Sequence, residues 1–154
     1  MEVFNLHGDV WDHEEQHGGF RFRDAWIGRR LGAEKIGGSL YEVDAGEKLW
    51  PYHLHHANEE WLLVVRGRPT LRTPEGEREL AEGEVVCFPR GPEGAHQVIN
   101  GSAEPVRVFM LSTMVMPEIV EYPDSEKVGA RDAEGKRLFL TRAGAPVDYW
   151  DGEK

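Results

Sequence analysis

The residues best suited to chemistry are three histidines within four positions, His53, His55 and His56, followed closely by Glu59 and Glu60. Successive side chains of a β-strand point to opposite faces, so a strand through this segment places His53 and His55 on one face. A turn after His56 would bring the next strand, with a carboxylate at its start, alongside the two imidazoles. Two histidines and one carboxylate form three corners of a transition-metal site that keeps positions open for water or substrate. Such a site needs neutral imidazoles and an ionised acid.

Two alternatives stay open from these residues alone. An isolated His-x-His is also typical of a surface strand with two polar side chains, because short motifs match by chance. Alternation does not choose between Glu59 and Glu60, because both faces of the strand that follows them are apolar.

The surrounding chain predicts many short strands separated by turns. These segments are rich in Val, Leu, Tyr, Trp and Phe and are bounded by Gly, Pro, Asn or Asp, a pattern typical of an antiparallel sandwich or barrel. No window carries a sustained helical stripe free of Gly and Pro. We therefore expect an all-β fold with an irregular arm over residues 1–25 and a polar loop over 123–136. The predicted strands are Trp26–Leu31, Ile36–Asp44, Tyr52–His55, Glu60–Arg66, Thr70–Thr73, Glu77–Leu80, Val85–Pro89, His96–Asn100, Val106–Leu111, Leu138–Thr141 and Val147–Trp150.

The spacing around the histidines resembles the two sequence motifs of the cupin superfamily. The first runs from Gly46 through His-x-His, four residues, Glu60, six residues and Gly67. The second runs from Gly83 through Pro89 to His96 and Asn100, with two residues more than usual in the Gly/Pro-rich turn before His96. Turns of that kind absorb extra residues at little cost in free energy. The six-residue spacing to Gly67 favours Glu60 over Glu59.

This resemblance implies a double-stranded β-helix, the jelly roll or cupin barrel. It also implies one divalent transition-metal ion (Mn, Fe, Ni, Cu or Zn) inside the barrel. The metal ligands implied by the motifs are His53, His55, Glu60 and His96. We expect a single domain over 1–154, with a motif core over 36–113, the arm over 1–25 and a C-terminal extension over 114–154.

The resemblance leaves several functions open, because one fold hosts many activities. We expect a metal-dependent dioxygenase or isomerase that acts on a small polar molecule. A metal-containing binding or sensor module without turnover is the main alternative, and a metal-free sugar-nucleotide epimerase is the other. Arg68, Arg72 and Arg90 could meet an anionic substrate, although no pattern favours any one of them.

The composition of the chain limits the classes of partner that it is expected to bind. The formal net charge of −10 argues against nucleic acid and against anionic membranes, which both require a basic surface. A single cysteine, Cys87, and a start without the charged and apolar segments of a signal peptide favour the cytoplasm. Exposed strand edges and an arm dotted with apolar residues predict a homodimer in which part of residues 1–30 crosses to the partner.

Overall fold

A computed structural model describes residues 1–144 and 146–153, and β-strands dominate them. The strands are β1 (His13–His17), β2 (Phe20–Ala25), β3 (Ile36–Val43), β4 (Lys48–His55), β5 (Glu60–Arg66), β6 (Thr70–Thr73), β7 (Gly76–Glu79), β8 (Val85–Phe88), β9 (His96–Ile99), β10 (Val106–Thr113), β11 (Glu118–Tyr122), β12 (Lys127–Arg131) and β13 (Arg137–Arg142). One helical turn, α1 (Ile27–Arg30), follows β2, and short 3₁₀ turns cover Pro92–Gly94 and Pro123–Ser125. In this described part of the chain, no helix combines the length and apolar character that a bilayer span requires.

The predicted all-β fold is confirmed, and the chain forms a curled double-stranded β-helix. On one side, β2, β3, β10, β5 and β8 follow one another as neighbours. On the other side, β4 pairs with both β9 and β11, and the sheet continues outward through β12 to β13. The apolar core between the two sides includes Phe22, Leu62, Val98 and Val108. Polar side chains lie at one end of this interior.

The structure differs from the sequence expectation at both ends of the chain. Residues 13–25 form a hairpin rather than an irregular arm, because Gly19 adopts a positive φ of 82° and lets β2 pair with β1. Within the predicted polar loop over 123–136, Lys127–Arg131 form β12, which pairs with β11 and β13. Val147–Trp150 forms no strand among the residues described.

The predicted strand Trp26–Leu31 is wrong, because this segment is the turn α1. Asp12 accepts a hydrogen bond from the backbone N–H of Trp26 at 2.8 Å, which holds the start of the turn. Gly28 allows α1 to lie against β3, since a Cβ at this position would come within 2.8 Å of the Gly38 nitrogen. A propensity for β-structure in these residues is therefore overridden by tertiary contacts.

The first residues of the chain cover the outer face of the β2–β3–β10–β5 sheet. Phe4, Leu6 and Trp11 pack against a small apolar cluster there. Arg107 of β10 secures this segment, because its guanidinium donates to the carbonyl oxygens of Leu6 and Gly8 at 3.0 and 2.8 Å. The segment thus contacts the sheet of its own chain.

Candidate metal centre

Three of the four predicted ligands lie together inside the barrel. His53 on β4 and His96 on β9 are register partners, and their ring centroids are 4.7 Å apart. Glu60, the first residue of β5, completes a group whose ligand atoms all lie within 4.8 Å of one another. The ring of Phe88 stacks on His96 with centroids 3.8 Å apart and an interplanar angle of 6°, which holds that imidazole in place.

An irregularity in β4 brings the two histidines opposite each other. Leu49 pairs with Val98, and a regular ladder from that pair would place His96 opposite Pro51. The register shifts within β4, where Trp50 has a positive φ of 44°, so that His53 becomes the partner of His96. A β-bulge re-aims the side chains that follow it, and bulges are frequent beside functional sites.

Backbone carbonyl groups select the tautomer of both rings. The Nδ1 of His53 donates to the carbonyl oxygen of Pro51 at 2.8 Å, and the Nδ1 of His96 donates to that of Gly94 at 2.9 Å. A carbonyl oxygen can only accept, so Nδ1 carries the proton and Nε2 keeps its lone pair. Each ring is therefore prepared to bind a metal ion through Nε2.

The ionisation states of the site also suit a cation. Burial, followed by the neighbouring His96 and His55, lowers the pKa of His53 to about 3, so its ring is neutral at pH 7. Burial alone would raise the pKa of Glu60, but the contact with His96 and the surrounding imidazoles outweigh it and lower that pKa to about 2. Neutral imidazoles beside an ionised carboxylate are the forms that bind metal.

His55 joins the site through Glu60 but lies outside the tighter group. Its Nε2 is 3.4 Å from Oε2 of Glu60, the same oxygen that lies 3.3 Å from Nε2 of His96. Its Nδ1 faces a second carboxylate, Glu118, at 3.5 Å. His55 therefore lies between two acids, one inside the group and one behind it.

Buried polar atoms without partners test whether a metal ion fits. Oε2 of Glu60, Nε2 of His96 and Nδ1 of His55 are buried and form no hydrogen bond within the described residues. Unsatisfied buried polar atoms are rare in native proteins and call for an explanation. Glu60 Oε2 and His96 Nε2 are also two of the predicted ligand atoms, so the residues present fit a divalent ion.

The structure distinguishes Glu60 from Glu59. Glu59 is exposed, and its Oε1 accepts a hydrogen bond from the indole of Trp61 at 3.1 Å. Glu60 is turned inward toward the histidines, with 14% of its side chain exposed. The β5 register therefore places Glu60 in the site.

Glu118 at the start of β11 is a site residue that lies outside both sequence motifs. Its side chain is buried, and its Oε1 accepts from the backbone N–H groups of His56 and Ala57, both at 3.1 Å. The side-chain amide of Asn58 donates to its other oxygen. Glu118 thus anchors the turn between β4 and β5 and lies behind His55, although no local pattern in the sequence marks it.

A cavity of about 910 Å³ opens onto the centre. Its volume lies in the range of small-molecule sites. His53, Glu60 and His96 are called the metal group here, and the first two lie in the cavity wall. Aromatic rings, methionines and three arginines form other parts of the wall. The wall includes Trp26, Arg29, Glu34, Tyr41, Trp50, His53, His55, Glu60, Glu118, Tyr122, Arg131 and Arg137.

The fold and this site define a class of protein: a small β-barrel with a buried histidine–carboxylate cluster that is open to a cavity. The cupin domain family model matches residues 39–112, which contain all four predicted ligands. The chain therefore contains a cupin domain over residues 39–112. No curated protein matches its sequence.

Solved structures agree with this assignment. A protein of Acidithiobacillus ferrooxidans, provisionally named a sugar phosphate isomerase, is 25% identical, with 88% of this chain and 86% of that chain covered and a TM-score of 0.78. A cupin-superfamily sugar phosphate isomerase of Silicibacter pomeroyi is 22% identical, with 96% and 98% covered and a TM-score of 0.81. A polyketide cyclase of Streptomyces resistomycificus is 16% identical, with 98% and 91% covered and a TM-score of 0.62. The last two similarities concern the fold.

Proposed function

We propose that this protein is a metal-dependent isomerase that acts on a sugar phosphate. The observation that carries the proposal is the position of His53, His55 and Glu60 in the wall of a 910 Å³ cavity, where a bound small molecule meets the metal ligands. The 25% identity to the A. ferrooxidans protein supports the choice of reaction and substrate.

His53, His55, Glu60 and His96 are the residues that would hold the metal. When bound, a divalent ion supplies Lewis-acid chemistry that polarises a carbonyl oxygen and the hydroxyl group beside it. Isomerisation between an aldehyde and a ketone moves a proton from one carbon to the next and needs no external oxidant or reductant.

Aromatic side chains in the cavity suit a sugar. Trp26, Trp50 and Tyr122 line the wall, and their flat faces can pack against the C–H groups of a carbohydrate. The ring of Tyr122 stacks on that of His53 with centroids 6.1 Å apart, so this ring lies at the same end of the cavity as the metal group.

We assign Tyr122 the role of hydrogen-bond donor to the substrate oxygen on which negative charge develops. A donor aimed at developing charge accelerates a reaction because it is held in place before the charge appears. Glu118 is unsuited to this role, because backbone and side-chain N–H groups already occupy its carboxylate. Tyr41 is half-buried and packs edge-on against Phe22 and Trp50.

The test is direct observation of proton exchange. Protein stripped of metal and reloaded separately with Mn²⁺, Fe²⁺ or Zn²⁺ is mixed with a panel of aldose and ketose phosphates in D₂O, and proton NMR follows both product and loss of the signal at C2. We expect deuterium incorporation with at least one pair, its loss in His96→Ala, and its retention in the exposed control His56→Ala. In Tyr122→Phe we expect kcat to fall at least tenfold while the metal content is unchanged.

Other outcomes identify the alternatives. Oxygen uptake with these compounds in place of exchange would show a dioxygenase. A rise in melting temperature with sugar phosphates, but no exchange with any metal, would show a binding module without turnover. Either result overturns the isomerase proposal.

A further inference from the structure

Two arginines face each other on the hairpin formed by β12 and β13. Arg131 and Arg137 are register partners, and both line the cavity that contains the metal group. The register of β12 shifts between Ala130 and Arg131, just before this pair, so the two arginines face each other beyond a β-bulge. Like charges in that position destabilise the sheet, so the pair has a cost that the hairpin alone does not explain.

Neither guanidinium is neutralised by the protein. Among residues 1–144 and 146–153, no carboxylate forms an ion pair with Arg131 or Arg137. Arg131 donates only to the carbonyl oxygen of Gly135 in its own turn, at 2.9 Å. Yet acidic residues outnumber Lys and Arg by ten in this chain, and most of the other arginines form ion pairs with carboxylates. The paired arginines include Arg23, Arg30, Arg66, Arg72 and Arg107.

The other carboxylates of the cavity wall form no ion pair with Arg131 or Arg137 in the described part of the chain. Glu118 is the register partner of Arg131 on β11, but its oxygens accept from the 56–58 turn. Glu34 is the remaining acid of the wall outside the metal group, among the residues described. Arg29, on α1, adds a third guanidinium to the same wall and likewise forms no ion pair within this part of the chain.

We propose that Arg131 and Arg137 bind the phosphate group of the substrate, with Arg29 as a third contact. This inference rests on the proposed function, because it assigns the place of the phosphate within that site. The planar guanidinium matches phosphate oxygens through two parallel hydrogen bonds, and two such groups side by side suit a dianion.

The position of the hairpin fits a substrate that reaches both groups. β4, which carries His53 and His55, is followed across the sheet by β11 and then β12. Neighbouring strands lie about 4.8 Å apart, so β12 lies about 10 Å from β4. That span is comparable with the length of an extended sugar phosphate, whose carbonyl end would lie at the metal ligands.

The experiment measures binding to metal-free protein, so that phosphate cannot bind a metal ion instead. Isothermal titration calorimetry compares ribose 5-phosphate, ribose and inorganic phosphate with the wild type and with Arg131→Gln/Arg137→Gln. The control is Arg68→Gln/Arg78→Gln, which removes the same charge from arginines that lie outside the cavity. We expect ribose 5-phosphate to bind at least tenfold more tightly than ribose, and we expect this preference in the control but not in the cavity variant.

Stability provides a second measurement. Removal of one charge from a facing like-charged pair should leave the melting temperature of Arg137→Gln equal to or above that of the wild type. If the double variant does not fold, Arg137→Gln alone, on the terminal strand, must weaken ribose 5-phosphate binding at least threefold. Equal binding of ribose and ribose 5-phosphate by the wild type, or equal losses in cavity and control variants, overturns the phosphate site.

Failure of this inference can be told apart from failure of the proposed function. Isomerisation with an unchanged KM in the cavity variant would retain the isomerase and reject the phosphate site. Arginine-dependent binding without turnover by metal-loaded protein would retain the phosphate site and reject the isomerase.

Discussion

The carboxylate of Glu118 lies directly behind the imidazole of His55, with Oε2 3.5 Å from Nδ1. Because Nε2 of His55 faces Glu60, the two nitrogens of one ring address two different acids. A histidine that binds a metal through one nitrogen commonly donates its other N–H to a carboxylate, which fixes the tautomer and the ring orientation. β11 therefore contributes to the candidate metal centre although it follows both motifs.

Replacement of Glu118 should weaken metal binding without removal of any ligand. In Glu118→Gln we expect metal affinity to fall by about 10- to 100-fold, the usual effect of losing such a supporting carboxylate. Affinity is measured by competition with a chromophoric chelator, well below the melting temperature of each variant. Glu121→Gln, which alters an acid of the same strand that contacts His56, is the control and should bind metal normally. Normal affinity in Glu118→Gln would remove Glu118 from the site.

Adjacent acids provide a matched test of the ligand set. Glu60→Gln should lower metal affinity at least tenfold, because a neutral amide replaces the ionised carboxylate at the centre of the group. Glu59→Gln should retain one divalent ion per chain, because Glu59 points outward. With metal at 100 times its Kd, binding adds about 2.7 kcal/mol to stability, so chelation should lower the melting temperature of the wild type and of Glu59→Gln only. Elemental analysis and thermal unfolding measure both effects, and a similar loss in the two variants would contradict the assignment.

The neutral state of His53 should be visible in metal-free protein. Its pKa is lowered from 6.5 to about 3 by burial and by His96 and His55, so its ring nitrogens should not titrate between pH 8 and pH 5. Below about pH 6.5, the His53 side chain takes up a proton in the unfolded chain but not in the folded chain. His53 therefore reduces the stability of the fold as the pH falls toward 3. Nitrogen-detected NMR of the ring follows the titration. A midpoint near 6.5 would contradict the buried site.

Glu42, which lies outside the candidate metal centre, should control how the stability of the fold changes at acidic pH. Burial opposes ionisation of Glu42, but hydrogen bonds from Arg107 and Arg23 outweigh it and lower its pKa below 4.5. The ionised form therefore stabilises the fold above about pH 4.5, and this contribution is lost as the pH falls through the lowered value. Glu42→Gln should cost about 3 kcal/mol at pH 7, because the buried Arg107 loses its partner. It should also flatten the fall in stability below pH 4.5.

Urea unfolding at several pH values measures both effects of Glu42→Gln. The exposed pair of Glu79 with Arg68 is the control, and Glu79→Gln should change stability by less than about 1 kcal/mol at every pH. Parallel pH profiles for wild type and Glu42→Gln would reject the role of this ion pair.

The terminal strand predicts how copies of the chain associate. Leu138, Phe139 and Leu140 on β13 are 61%, 47% and 43% exposed, and among the residues described β13 ends the sheet with an unpaired edge. Because Leu6 and its neighbours cover their own sheet, we expect self-association through β13 rather than exchange of the N-terminal segment. Light scattering should give twice 17.5 kDa for the wild type and 17.5 kDa for Leu138→Lys/Leu140→Lys. A wild-type monomer would contradict this prediction.

The barrel was predictable because local patterns agree with it. Alternation and turn residues predict β5 with the same bounds that the structure has, and the resemblance to the cupin motifs leads from His53 to Glu60 and His96. In contrast, α1 depends on a contact between Gly28 and β3 that no local pattern reveals. Hairpin β1–β2 escapes prediction because β1, His13–His17, contains no apolar residue, although β2 alternates from Phe20 to Arg23.

The rest of the cavity could not be predicted, because it depends on long-range pairing. Glu118 reaches His55 only through the register of β11 with β4, and Arg131 meets Arg137 only because a polar stretch forms β12. The sequence offers Arg68 and Arg72 equally well for an anion, but they are occupied by Glu79 and Asp124. Which of many surface charges lack a partner is a property of the folded chain.

The proposed metal ligands and the arginine pair come from separable parts of the polypeptide. The ligands lie within residues 39–112, whereas the β12–β13 hairpin is a later segment that joins the barrel along one strand, β11. A lineage could therefore exchange the hairpin and acquire a new substrate while it inherits the same metal chemistry. For protein engineers, grafting the β12–β13 hairpin, residues 127–142, between cupins of this build offers a way to transfer preference for a charged group in one step.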